Sequence, residues 1–190
     1  MNRTNLVPTI NIAKKLFLGA LDKHGEDQFD LRTHVTEAVR WANKLLSEYP
    51  KLNSDVIFLS IWLHDIGHYP IDKNDHAVKS EKIAKNFLAK QKVNKDIAKE
   101  VLHCVRSHRN KDIKPNTNEA KFFAALDSIS HFTYAPYLGM MRDGRGKAGM
   151  EKLERDYRDL KYLPKIKKEL TPLYQAWKKL LQEINKQDLY

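Results

Sequence analysis

Three observations predict an all-α fold. Apolar residues recur every three to four positions in almost every segment, no alternating strand pattern of useful length occurs, and only seven glycines and seven prolines interrupt the periodicity. With 190 residues, 42% of them hydrophobic, the chain is long enough for one compact helical bundle with a substantial core. The expected organisation is a single domain over 1–190, with a core over about 27–135 and additional C-terminal helices over about 150–190.

The elements follow in order. The first helix is expected over Ile10–Leu21; Arg3, Lys14 and Lys15 without an acid faintly resemble a transit peptide, but no signal-type apolar core or cleavage site accompanies them. A helix over Leu31–Glu48 carries Leu31, Val35, Ala38, Ala42, Leu45 and Leu46 on one face, with His34 inside that stripe. A third helix, with Ser54 as N-cap, runs to His64-Asp65, where Gly67 and Pro70 stop it. The turn IDKNDH leads into a helix over His76–Lys90, whose Ile83, Ala84, Phe87 and Leu88 face inward.

The helix over Lys95–His108 has Ile97, Val101, Cys104 and Val105 as its apolar face. At roughly 100° per residue His108 falls within that arc and His103 roughly 120° from its centre, so His108 ranks as the inward-pointing histidine. After KDIKPNTN a helix over Glu119–Thr133 carries Phe122, Phe123, Leu126 and Ile129, with Asp127 at the edge of the apolar face. A basic, glycine-rich loop, GMMRDGRGKAG over Gly139–Gly149, precedes helices over Glu151–Tyr162 and Thr171–Asn185.

A net charge of +10 and a pI near 9.5 favour anionic partners, namely nucleotides, phosphate esters or nucleic acid, although lysines spread along the whole chain also read as a solvated surface. The single cysteine, Cys104, excludes an intrachain disulfide and zinc sites built from CxxC pairs, and fits a reducing, cytoplasmic setting. No apolar run approaches the roughly eighteen residues of a membrane span, so no membrane partner is expected.

The stretch LHDIGH, Leu63–His68, closes the apolar run VIFLSIWL with two imidazoles and a carboxylate. Removing such groups from water is costly unless a partner repays the desolvation, and the usual partner is a metal ion. His34, the His64-Asp65 pair and Asp127 stand on inner faces or ends of separate helices. Imidazole nitrogen with carboxylate oxygen, and no sulfur, suits a divalent ion such as Mn, Fe, Co, Ni, Mg or Zn. No serine or cysteine nucleophile motif, P-loop or HExxH zinc motif competes.

The stretches THVTEAVRWANKL, IWLHDIGH, DHAVKSEKIAKNFL, VLHCVRSHR and EAKFFAALDSI, in that order over about Arg32–Phe132, resemble the HD domain superfamily of metal-dependent phosphohydrolases. The resemblance implies an all-α HD-domain bundle in which His34, His64, Asp65 and Asp127 ligate one metal. It further implies that His76 and His108, with Asp65 bridging, complete a second metal site, giving one or two ions. Two departures stand out. Relatives often read Asp-Ala-Asp around the last ligand, with a further acid three residues on, where this chain has Ala125-Leu126-Asp127 and Ser130. Some HD nucleotidases carry a glutamate where His68 stands; His68 reads equally as proton donor, phosphate contact or turn residue.

The function this implies is hydrolysis of a phosphomonoester or phosphoanhydride of a nucleotide-like substrate, with Asp65 and His68 as catalytic candidates. Arg109, Lys79, Arg142, Arg145 and Lys147 are the candidates to neutralise the anion. Two alternatives remain: a di-iron oxygenase of the same fold, and a non-catalytic HD protein whose basic surface binds nucleic acid. The amphipathic Thr171–Asn185 helix packs either on its own core or on a second subunit, as in a homodimer.

Overall fold

The computed structural model describes residues 6–24, 27, 29–70 and 75–186. Among them the fold is all-α, with nine α-helices, three 3-10 turns and no strand. Two compact units divide the chain, Met1–Ala124 and Ala125–Tyr190, and the boundary falls inside a helix.

The first unit holds α1 (Val7–His24), α2 (Leu31–Leu45), α3 (Ser54–Leu63), α4 (His76–Lys90), α5 (Lys95–Ser107) and the start of α6 (Asn118–Tyr134). Its centre is α3, where Val56, Ile57, Leu59, Ser60, Ile61, Trp62 and Leu63 are all buried. A helix apolar on every side must be surrounded, and α1, α2 and α5 surround it. Phe17 of α1 meets Trp62 edge-on at 6.0 Å.

Local chemistry sets the helix starts. Asn53, rather than Ser54, caps α3: its backbone is extended, and its side chain accepts from the Asp55 N–H at 3.1 Å, whereas Ser54 already lies in the first turn. Asp27 does the same for α2, its two oxygens accepting from the Leu31 and Arg32 amides at 2.8 Å each. The last turn of the helix expected to reach Glu48 tightens into a 3-10 turn over Leu46–Glu48. Of the IDKNDH turn, residues 71–74 lie outside the described residues. Asp75 caps α4 and Asn94 caps α5.

The second unit holds the rest of α6, with α7 (Pro136–Arg142), α8 (Gly146–Asp159) and α9 (Pro164–Lys186). Here the expected loop over Gly139–Gly149 is corrected: most of it is helical, and only Asp143–Arg145 turns, through Gly144 at φ 70°. Pro136 at the first position of α7 presets its φ. Burying Tyr137 and Met141 then outweighs the roughly 1 kcal/mol that Gly139 costs the helix. Pro164 likewise starts α9 earlier than the expected Thr171. Inside this unit the Tyr137 hydroxyl donates to Asp156 Oδ2 at 2.9 Å, with His131 Nδ1 at 3.2 Å and Lys152 Nζ at 3.5 Å from the same oxygen. No helix among the described residues is long and apolar enough to cross a membrane.

Candidate metal centre

The centre forms where α3 and α5 end. His64 and His108 are the C-cap residues of these helices, and both use the same device: His64 Nδ1 lies 2.9 Å from the Ile61 carbonyl, and His108 Nδ1 lies 2.7 Å from the Val105 carbonyl. Carbonyls in a last helical turn lack an intrahelical N–H. The imidazole N–H satisfies them, which fixes the tautomer and leaves each Nε2 lone pair directed inward. His34, buried on α2, brings its Nε2 to 3.0 Å from His64 Nε2. His76, on the first turn of α4, brings its Nε2 to 3.4 Å from His108 Nε2.

Asp65 leaves the helix between these two pairs and divides its carboxylate. Oδ2 faces His64 at 3.3 Å and His34 at 3.5 Å; Oδ1 faces His76 at 3.5 Å, His68 at 3.6 Å and His108 at 3.7 Å. The ligand atoms of His34, His64 and Asp65 lie within 4.8 Å of one another, as do those of Asp65, His76 and His108.

Gly67 allows the second group to assemble. A Cβ at this position would come within 2.5 Å of the His76 carbonyl oxygen and the Ser80 amide, so only glycine lets the 66–68 turn sit this close to α4. The Gly67 amide donates to the buried Ser80 hydroxyl at 2.8 Å.

Burial alone would raise the Asp65 carboxyl, but His64, His68 and His76 hold it well below the usual carboxylate range. Burial pushes His76 down to about 3 and lowers His68, against the pull of Asp65. Both rings are thus neutral near pH 7, the form that donates a lone pair to a metal. Asp65 Oδ1 is buried without a hydrogen-bond partner among the described residues. A buried carboxylate oxygen with no donor, facing three Nε2 atoms, fits a divalent cation with nitrogen and oxygen ligands.

The remaining candidates are placed as follows. His68 is 19% exposed and stacks on His76 at 3.9 Å, with Phe29 on the ring at 4.7 Å. The Lys79 ammonium donates to the Pro70 carbonyl at 2.8 Å, and Arg109 Nη2 binds Asp75 Oδ2 at 2.5 Å, so both cations stand near His68 already engaged. His103 turns away from the centre and accepts the Asn116 N–H at 3.1 Å. Asp127 is buried on α6 in the second unit, with Arg142, Arg145 and Lys147 exposed in that same unit; Arg145 pairs with Asp143 at 2.7 Å.

Sequence reasoning missed Asp75, Ser80 and the His131–Asp156–Lys152 cluster. Asp75 was findable, since an Asp directly before a helical run is a cap signal. Lys152 and Asp156 were findable as an i,i+4 pair on one helix, whereas Ser80 and His131 carry no local signal, because their partners are distant in sequence.

A family model described as HD domain matches residues 31–131. No curated protein and no solved structure matches the chain.

Proposed function

We propose that this chain, which belongs to the HD domain family, is a phosphohydrolase that works with a divalent metal on a small, anionic, nucleotide-like phosphate ester or anhydride. One observation carries the reading: Asp65 shares its two carboxylate oxygens between the His34–His64 pair and the His76–His108 pair. His34, His64 and Asp65 would hold one ion; Asp65, His76 and His108 would hold a second. Asp127 enters as a further ligand on the family resemblance. Such ions supply a water of lowered pKa and neutralise charge on a phosphoryl oxygen.

The side chains themselves set the frame for that chemistry. The Ile61 and Val105 carbonyls orient His64 and His108. His68, neutral and partly exposed beside His76, is positioned to hold or pass a proton at Nε2. Lys79, close to His68, offers positive charge to an approaching anion. A di-iron oxygenase would draw on the same donors, and iron content with oxygen uptake separates it from the hydrolase.

The test is metal content per chain, by mass spectrometry after dialysis with and without manganese, beside Asp65→Ala. Bound ions that disappear in the variant, followed by phosphate release from a nucleotide panel, support the proposal. A wild-type chain that takes up no ion, or an Asp65→Ala variant that turns over normally, overturns it.

A further inference from the structure

We propose that the ion pair between Asp75 and Arg109 is a clamp that sets the distance between His76 and His108. Arg109 is then a positioning residue for the second ion rather than a contact to substrate. The inference rests on the metal-centre reading above.

Asp75 immediately precedes His76 and caps α4, its Oδ1 accepting from the Ala77 amide at 2.9 Å and the Val78 amide at 3.4 Å. Its other oxygen, Oδ2, accepts from Arg109 Nη2 at 2.5 Å. Arg109 immediately follows His108, the C-cap of α5, and the chain turns away at Asn110 with a left-handed φ of 46°. One carboxylate thus caps the helix that carries His76 and grips the residue after His108. The Nε2 atoms of the two histidines that adjoin this pair in sequence are 3.4 Å apart.

The pair also belongs to a network. Arg109 Nη2 lies 3.8 Å from Asp112, Asp112 binds Arg106, and Arg106 lies 3.6 Å from Glu81 on α4. Isolated exposed ion pairs contribute little, but charges alternating in sign between two helices restrain both against sliding.

His76 is the histidine that needs this help. Backbone carbonyls anchor the rings of His64 and His108. Among the described residues no carbonyl holds His76, which is 23% exposed and meets the rings of His68, stacked at 3.9 Å, and His108, tilted at 5.5 Å. Its position therefore depends on where α4 begins, and Asp75 with Arg109 decides that.

The experiment strips metal from wild type, Arg109→Ala, Arg109→Lys, Asp75→Asn and His76→Ala, then titrates cobalt(II). Visible absorption follows occupancy, and mass spectrometry counts the ions. Asn keeps a capping oxygen while losing the charge, so Asp75→Asn tests the clamp without removing the cap. Two ions are expected in wild type and one in His76→Ala. In Arg109→Ala and Asp75→Asn the first ion should bind as in wild type and the second should weaken roughly 10–100-fold, the range seen when a group supporting a metal ligand is removed. Arg109→Lys should recover part of that affinity.

If wild type takes two ions and both clamp variants bind them with wild-type affinity, the clamp is wrong and the centre stands. A raised KM in Arg109→Ala with unchanged occupancy has the same meaning and returns Arg109 to the substrate. A wild type that never takes a second ion overturns the clamp together with the two-ion centre. Should Arg109→Ala fail to fold, Asp75→Asn and Arg109→Lys decide the matter alone.

Discussion

Gly67 lies so close beneath the first turn of α4 that a Cβ there would approach the His76 carbonyl oxygen to 2.5 Å. The glycine of LHDIGH is therefore a docking surface for the next helix. Because the atoms it would strike are backbone, relief requires α4 to move. Gly67→Ala should cost about 1–3 kcal/mol, the usual range for overpacking, and should weaken the second ion more than the first. Urea unfolding and cobalt titration measure the two effects; an alanine variant with unchanged stability and occupancy would mean that α4 yields freely.

Asp65→Ala should abolish metal uptake and turnover while leaving the helical far-UV spectrum intact. The carboxylate is buried and one of its oxygens has no hydrogen-bond donor among the described residues, so it contributes to the metal site rather than to the apo fold. A collapse of helicity in the variant would instead mark Asp65 as structural.

His108 and His103 lie on one helix and should behave oppositely. His108→Ala removes an inward Nε2 and is expected to lose the second ion only. His103→Ala should keep both ions and lose about 1 kcal/mol, because the Asn116 N–H loses its acceptor. The reverse pattern in metal counts would overturn the placement of the second ion.

Asp156, in the second unit, predicts a pH dependence. Burial would raise its carboxyl, but Lys152 and His131 hold it below its ordinary value. A carboxyl lowered on folding stabilises above its unfolded pKa, about 3.9, and that contribution fades as pH falls through the lower folded value. Asp156→Asn leaves the half-buried Lys152 charge without its carboxylate and should cost about 1–3 kcal/mol at neutral pH. The gap to wild type should narrow below about pH 4. Thermal melts of the metal-free proteins across pH 2–7 test this; a gap that is constant with pH would show that the Asp156 charge is not the cause.

The amino-acid sequence by itself determined the helical class and the inward direction of His34 and His108. Each of these depends on spacing within one helix, where 3.6 residues per turn converts sequence into direction. The doublet His64-Asp65 was legible for a related reason, since ionisable groups at the end of an apolar run demand a partner.

Only the tertiary structure decided the rest. That Asp65 faces two histidine pairs with different oxygens, that Gly67 admits α4, and that Arg109 is committed to Asp75 all depend on groups from separate helices meeting at a few ångströms. The stretch over Gly139–Gly149 failed as a loop for a kindred reason. Its glycines and charges signal a turn locally, whereas burial of Tyr137 and Met141 recruits most of it into helices. Local spacing sets where a side chain points, but packing sets what it meets, and the chemistry of this centre follows from the meeting.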